Sequence, residues 1–196
     1  MATLADGVCL RSVNGMDDAE PHCRSFVQTW AEAVISQVKQ VRQLRLDAAR
    51  RGRAYERMDG HGPDILDLQK DARTLWAEEH KLVWAAHQAE RWVRRLAIER
   101  GEEPPPRDKV LADLRNALEH LDEAEFDGNN AVPGSAKDSL ARLPDGRISI
   151  ATGHGRAFGL IDVEELERRA LAIVQGIEDE FIQEAESWWI EMNSGR

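Results

Sequence analysis

Residues 26–41 read FVQTWAEAVISQVKQV, and within them Val27, Trp30, Val34, Val38 and Val41 recur every three or four positions. That spacing follows the 3.6-residue period of a helix, so one apolar stripe runs along one side of an otherwise polar rod. A strand would show alternation instead, so the stretch predicts an amphipathic helix packed against partners. Phe26 and Leu44 lie beside the stripe and Arg45 continues its spacing, which extends the helix over about 17–51, with Gly52 as a stop.

Further helices follow on both sides of a change in period. Asp59 to Pro63 reads as a turn, after which Asp64 can cap a second helix to about Arg100, ahead of Gly101. Its stripe is Leu75, Leu82, Val83, Ala86, Val93, Leu96 and Ala97. Three prolines at 104–106 make a rigid connector to a third helix over about 107–126, with Leu111, Leu114, Leu118 and Leu121 inward. Residues 127–144 read as loop, and then Ile148 and Ile150 alternate with polar residues before Ala157–Ile161 resumes extended character. This predicts a small β-hairpin at about 145–161. Asp162 and Glu165 have capping-box spacing, and Val163, Leu166, Ala170, Ile173, Ile177, Phe181, Ala185 and Trp188 step along a long last helix. The expected fold is all-α, a four-helix bundle of long amphipathic helices with the hairpin before the last one. Residues 1–16 lack periodicity and are expected to be a flexible N-terminal arm, with 17–196 a single domain.

The 196 residues carry 26 Lys plus Arg against 36 Asp plus Glu, a formal net charge of −10. Acidity disfavours nonspecific binding to nucleic acid or anionic membrane, which relies on basic side chains neutralising phosphates. Any nucleic-acid role therefore requires a local basic site. No apolar run approaches a membrane span and the first residues lack a signal pattern, which places the chain in the cytoplasm. Cys9 and Cys23 are too few to staple a chain this long and are expected to be free thiols.

Six histidines raise the question of metal, yet no two share the four-residue spacing of a helical zinc pair and no Cys-x-x-Cys occurs. His80 and His87 share a face seven residues apart, about 10 Å along a helix and too far for one ion. No metal or cofactor is expected. Trp76, Trp84 and Trp92 are eight apart, each rotated about 80° from the last, so all three cannot face one seam. Either different neighbours bury them or some lie at an interface, where tryptophan is enriched. Trp188 and Trp189 pose the same question.

One short motif points to chemistry: Arg115-Asn116-Ala117-Leu118-Glu119-His120 on the third helix. Arg73 with His80 and Arg147 with His154 have comparable spacing, but only Arg115 is followed directly by a polar amide on an amphipathic helix next to the last. Here the chain resembles HEPN domains, small all-α bundles of which many are metal-independent ribonucleases. The resemblance covers six residues as motif and about 17–190 as architecture. Arg115 and His120 lie about 140° apart around a helix, whereas Asn116 and His120 share a face with Asp113 and Glu123. The resemblance implies a homodimer with a composite site, in which a ribose 2′-hydroxyl of single-stranded RNA attacks its own 3′-phosphate. His120 would move the proton, Arg115 would hold the phosphate, and Asn116 would orient substrate or histidine. It further implies a toxin or defence effector, with a cognate antitoxin-like protein partner.

The sequence departs from the family at Asp122, where many members have tyrosine, and Asp113, Glu119, Asp122 and Glu123 would repel RNA. Three alternatives stay open. Arg115 pairs with Glu119 or Asp122 in a purely structural role; the chain is a noncatalytic module that binds a protein through acidic helix faces and exposed tryptophans; or it binds nucleotide without turnover.

Overall fold

The computed structural model describes residues 19–58, 62–134, 139–151 and 155–194. The expected arm at 1–16, Cys9, His61 and His154 lie outside the described residues. The architecture is mostly helical, with a small three-stranded antiparallel sheet between the third and fourth helices. No helix among the described residues is long and apolar enough to cross a membrane.

Helix α1 (Ala19–Glu56) buries Val27, Val34, Val38 and Val41 of the expected stripe together with Ala31, while Trp30 is only partly buried. It runs through Gly52, which costs about 1 kcal/mol relative to alanine but does not break the helix. Helix α2 (Ile65–Glu99) starts where expected: the Asp64 carboxylate accepts from Asp67 N, and the Asp67 carboxylate accepts from Asp64 N. Such a reciprocal cap satisfies two otherwise orphaned donors. At the other end Gly101 takes φ +73°, a left-handed conformation that costs glycine little. Helix α1 packs against α2 and α4 (Val163–Ser194), and α2 also packs against α3 (Lys109–Glu119).

The third helix is shorter than its leucine spacing predicts. It stops at Glu119, His120 is its C-cap, and Leu121–Glu123 tightens into a 3-10 turn. Leucines three and four apart satisfy a 3-10 turn as well as a helix, so the stripe could not mark the end. The chain then enters β1 (Glu125–Asp127), turns at Gly128 with φ +57°, and returns as β2 (Asn130–Val132). Thus the expected loop at 127–144 holds a strand. The expected hairpin at 145–161 is also corrected: β3 (Ile148–Ser149) pairs with β2, Ala131 opposite Ile148, while Ala157 and Ile161 form only an isolated bridge with each other.

These short strands are kept by what lies beneath them. Ala131, Leu140, Leu143, Ile148, Ala157 and Phe158 are buried in the same core as the helices. Phe158 sits at φ +55° and is 2% exposed, with its ring edge-on to Trp76 at 5.7 Å. Burial of an aromatic ring, worth about 1.5–3 kcal/mol, offsets a left-handed backbone that a bulky residue rarely adopts. A buried ion pair fastens the same loop. Arg45 donates from Nη2 to Glu79 Oε1 at 2.7 Å and from Nη1 to the Gly155 carbonyl at 2.8 Å.

In α4 the buried positions are Val163, Leu166, Ala170 and Ile177. Beyond them Phe181, Ile182, Trp188, Trp189, Ile190 and Met192 are all exposed, so the spacing that runs on to Trp188 marks a face buried only as far as Ile177.

Candidate functional site

Helix α3 is placed by its first residue. The Asp108 carboxylate caps the helix by accepting from Leu111 N at 3.0 Å, and Asp108 N donates to Glu90 Oε1 of α2 at 2.7 Å. Arg169 of α4 donates to the other Asp108 oxygen at 3.0 Å. Leu111, Leu114, Ala117 and Leu118 then point into the core. By helical periodicity Ala112, Asp113, Arg115 and Asn116 are left to line a surface.

That surface is one wall of a cleft of about 370 Å³, closed by His87 of α2, by Arg107 and Lys109 at the start of α3, and by Arg142 from the 3-10 turn Ser139–Arg142. Four permanent cations therefore face one acid, Asp113, in a chain whose net charge is −10. Among the described residues Arg107, Lys109 and Arg142 make no ion pair, so their charge is available to a ligand.

Arg115 is held on both sides. Its Nη2 forms an ion pair with Glu119 Oε1 at 2.5 Å, and its guanidinium carbon lies 4.7 Å from the centroid of the Trp84 ring. Of the two carboxylates within reach along the helix, Glu119 is the partner. Arg115 Nε is shielded from solvent without a hydrogen-bond partner. His87 is 5% exposed, and its Nδ1 is likewise shielded and unpartnered. Burial depresses the His87 pKa below the usual 6.5, and the charges of Arg115, Arg91 and Arg107 push it further down against the opposing pull of Glu119. Burial and the neighbouring arginines thus favour the neutral ring.

The motif residues are divided. Arg115 and Asn116 line the cleft together, while His120 is not on its wall. As the C-cap of α3 it points a half-exposed ring at Glu123, with Nδ1 3.3 Å from Oε1. The helix geometry that separates positions 115 and 120 by about 140° is thus realised. Periodicity did not find His87, which the sequence offers only as a metal ligand beside His80, an idea the seven-residue spacing excludes. No group of three histidine, cysteine or acidic side chains suited to a metal occurs among the described residues. Cys23 is buried and its thiol pKa is raised, chiefly by burial, which leaves it a poor nucleophile.

The tryptophans also separate. Trp92 stacks on Phe26 at 4.5 Å and packs against the small cluster of Cys23, Val27, Leu96 and Ile177. Trp188 and Trp189, by contrast, are 62% and 64% exposed. Comparisons of the chain with protein-family models, curated proteins and solved structures returned no match. What the site can do is set by its own geometry.

Proposed function

We propose that the chain is a HEPN-like helical bundle that binds single-stranded RNA through its phosphates at the α2–α3 cleft and cleaves it as a homodimer. The observation that carries this reading is the cleft itself: Arg107, Lys109, Arg115 and Arg142 converge around Asn116 in an otherwise acidic chain. Such a cluster supplies the local basic site that RNA binding needs. Arg115 and Asn116 would hold a phosphate oxygen by charge-assisted and amide hydrogen bonds. The half-exposed His120, outside its own cleft, is accessible to a second copy.

In that dimer His120 takes the proton of a ribose 2′-hydroxyl as the 2′-oxygen bonds to phosphorus. The bond from phosphorus to the 5′-oxygen breaks, and the leaving oxygen receives a proton, giving a 2′,3′-cyclic phosphate and a 5′-hydroxyl. Arg115 stabilises the charge that develops on the phosphoryl oxygens. A cytoplasmic toxin or defence effector held in check by an antitoxin-like protein fits that chemistry. Incubation of mixed-sequence single-stranded RNA with wild type, Arg115→Ala and His120→Ala proteins in EDTA tests it. Cleavage by wild type alone supports the reading, and equal activity of His120→Ala overturns it.

The exposed end of α4 favours a second reading, a protein-binding module. Thirteen residues of α2, about 20 Å, separate His87 at the cleft from Arg100, which meets Glu180 where the exposed stretch begins. The apolar surface and the cleft are therefore different places, and a partner on one leaves the other open.

A further inference from the structure

We propose that the cleft is a phosphomonoester site, one that takes the terminal phosphate of a nucleotide or RNA end with His87 as a buried ligand. This rests on the reading of the cleft as a phosphate site and narrows it to a chemical class.

Charge is the first argument. An internal phosphodiester carries one negative charge, whereas a phosphomonoester carries close to two near neutral pH and offers three acceptor oxygens. The wall presents Arg107, Lys109, Arg115 and Arg142 against Asp113, with Arg115 shared with Glu119. Even after that sharing, the excess of positive charge is more than one diester would neutralise, and it suits a dianion.

Depth is the second. Among the side chains that line the cleft only His87 is buried, 5% exposed, and its Nδ1 has no partner. A buried polar atom left unpaired costs about 1–3 kcal/mol unless something satisfies it. A terminal phosphoryl group inserted end-on can do so, since a neutral imidazole carrying hydrogen on Nδ1 donates to it. Arg91, Arg107 and Arg115 disfavour imidazolium there, with Glu119 the opposing charge. A seated dianion reverses the balance and lets the ring take up a proton.

Room and polarity agree. The volume of about 370 Å³ is near the lower end of small-molecule sites and exceeds what a bare phosphate needs. Asp113 is an acceptor in a wall of donors, out of place for a phosphate but suited to a ribose hydroxyl.

The test is binding of four probes to the full chain: a short labelled RNA with a 5′-phosphate, the same RNA with a 3′-phosphate, the same RNA with hydroxyl ends, and adenosine monophosphate. Wild type is compared with His87→Gln and with Arg142→Ala, whose exposed position spares the core. At least one phosphorylated end should bind about tenfold tighter than the hydroxyl-ended RNA, and Arg142→Ala should erase most of that gain. Inorganic phosphate should move the His87 ring resonances of wild type, a readout that stands if His87→Gln fails to fold. Equal binding of all three RNAs with a loss in Arg142→Ala would overturn the monoester proposal and keep the RNA reading. Direct binding of the mononucleotide, read by calorimetry, with no RNA bound would support the monoester site and overturn the RNA reading. Binding by none of the probes, or binding indifferent to Arg142→Ala, would overturn both.

Discussion

The Arg115 guanidinium lies 4.7 Å from the centroid of the Trp84 ring while the same group pairs with the Glu119 carboxylate at 2.5 Å. The ring fixes the plane of the guanidinium and the carboxylate shares its charge, so the two neighbours act on ligand binding in opposite directions. Trp84→Ala should weaken anion binding about fivefold, equivalent to a cation–π contact of about 1 kcal/mol. Glu119→Gln should strengthen it by releasing Arg115. Titration of both variants with a phosphorylated oligonucleotide checks the two signs at once.

The buried Arg45–Glu79 pair predicts a stability change that depends on pH. Burial raises the Glu79 pKa above the ordinary carboxyl value, and hydrogen bonding and charge from Arg45 pull it back. Because the folded pKa is the higher one, the contribution of Glu79 to stability is greatest at low pH and falls as pH rises through the folded value. Arg45→Met removes the restraint and should cost about 3–5 kcal/mol at pH 7 and distinctly less at pH 5, where Glu79 can take a proton. Urea unfolding at the two pH values measures the difference, and adding Glu79→Leu should recover most of the loss at pH 7.

A single methyl group tests the link between the sheet and the end of α3. A Cβ on Gly134 would stand 2.7 Å from the Glu123 carbonyl oxygen, backbone that cannot turn aside. Gly134→Ala should cost about 1–3 kcal/mol, seen as a lowered midpoint in urea. The His120 carbonyl accepts from Glu123 N at 3.1 Å, so the His120 ring resonances should shift in the same variant.

Acid should loosen α4 before it loosens α3. Glu20 accepts from Arg24 at 3.0 Å and from Arg100 at 2.9 Å, and Arg100 also holds both oxygens of Glu180. The hydrogen bond from Arg24, then that from Arg100, keeps the Glu20 carboxyl below its ordinary 4.5. A lowered acid stabilises the fold above its unfolded pKa, and the contribution is lost as pH falls through the folded one. Amide exchange across residues 177–184, corrected for the intrinsic effect of pH, should therefore rise as pH falls below about 4.5 more than across 110–118. Arg100→Gln should produce the same pattern at neutral pH.

The apolar end of α4 predicts association. Substitution of both Trp188 and Trp189 by serine removes two rings that are 62% and 64% exposed and touch no buried core. The thermal midpoint should stay within a few degrees of wild type, while the molar mass in solution, or retention of a protein partner, should fall. Light scattering after size exclusion reads both the mass and its concentration dependence.

The three long helices were legible because their apolar spacing extends over many turns and their caps are local: Asp64 answers Asp67, and Asp162 accepts from Glu165 N at 3.0 Å. Where α3 ends was not, since Leu121 continues the same spacing from within a 3-10 turn. The strand at 130–132 had a signal, Asp127-Gly128, but three residues of strand survive only through burial of Ala131 beneath partners distant in sequence. In α4 periodicity marks a face and does not say whether anything covers it. The cleft illustrates the same gap: Arg115 and Asn116 are neighbours in sequence, but His87 and Arg142 reach them from α2 and from a turn after β2.

Helix α4 has a docked half and a free half, and helix–coil thermodynamics gives that division a meaning. A detached segment of ten residues such as Ala185–Ser194 would be marginal in water, because its first turn is costly to form. Here the docked part, held as far as Glu184 by Arg24, provides that turn, and the rest only propagates from it, each residue near balance between helix and coil. The free half should fray progressively from its C-terminal end, and a partner that covers its apolar face inherits a preformed helix and loses little chain entropy in binding it.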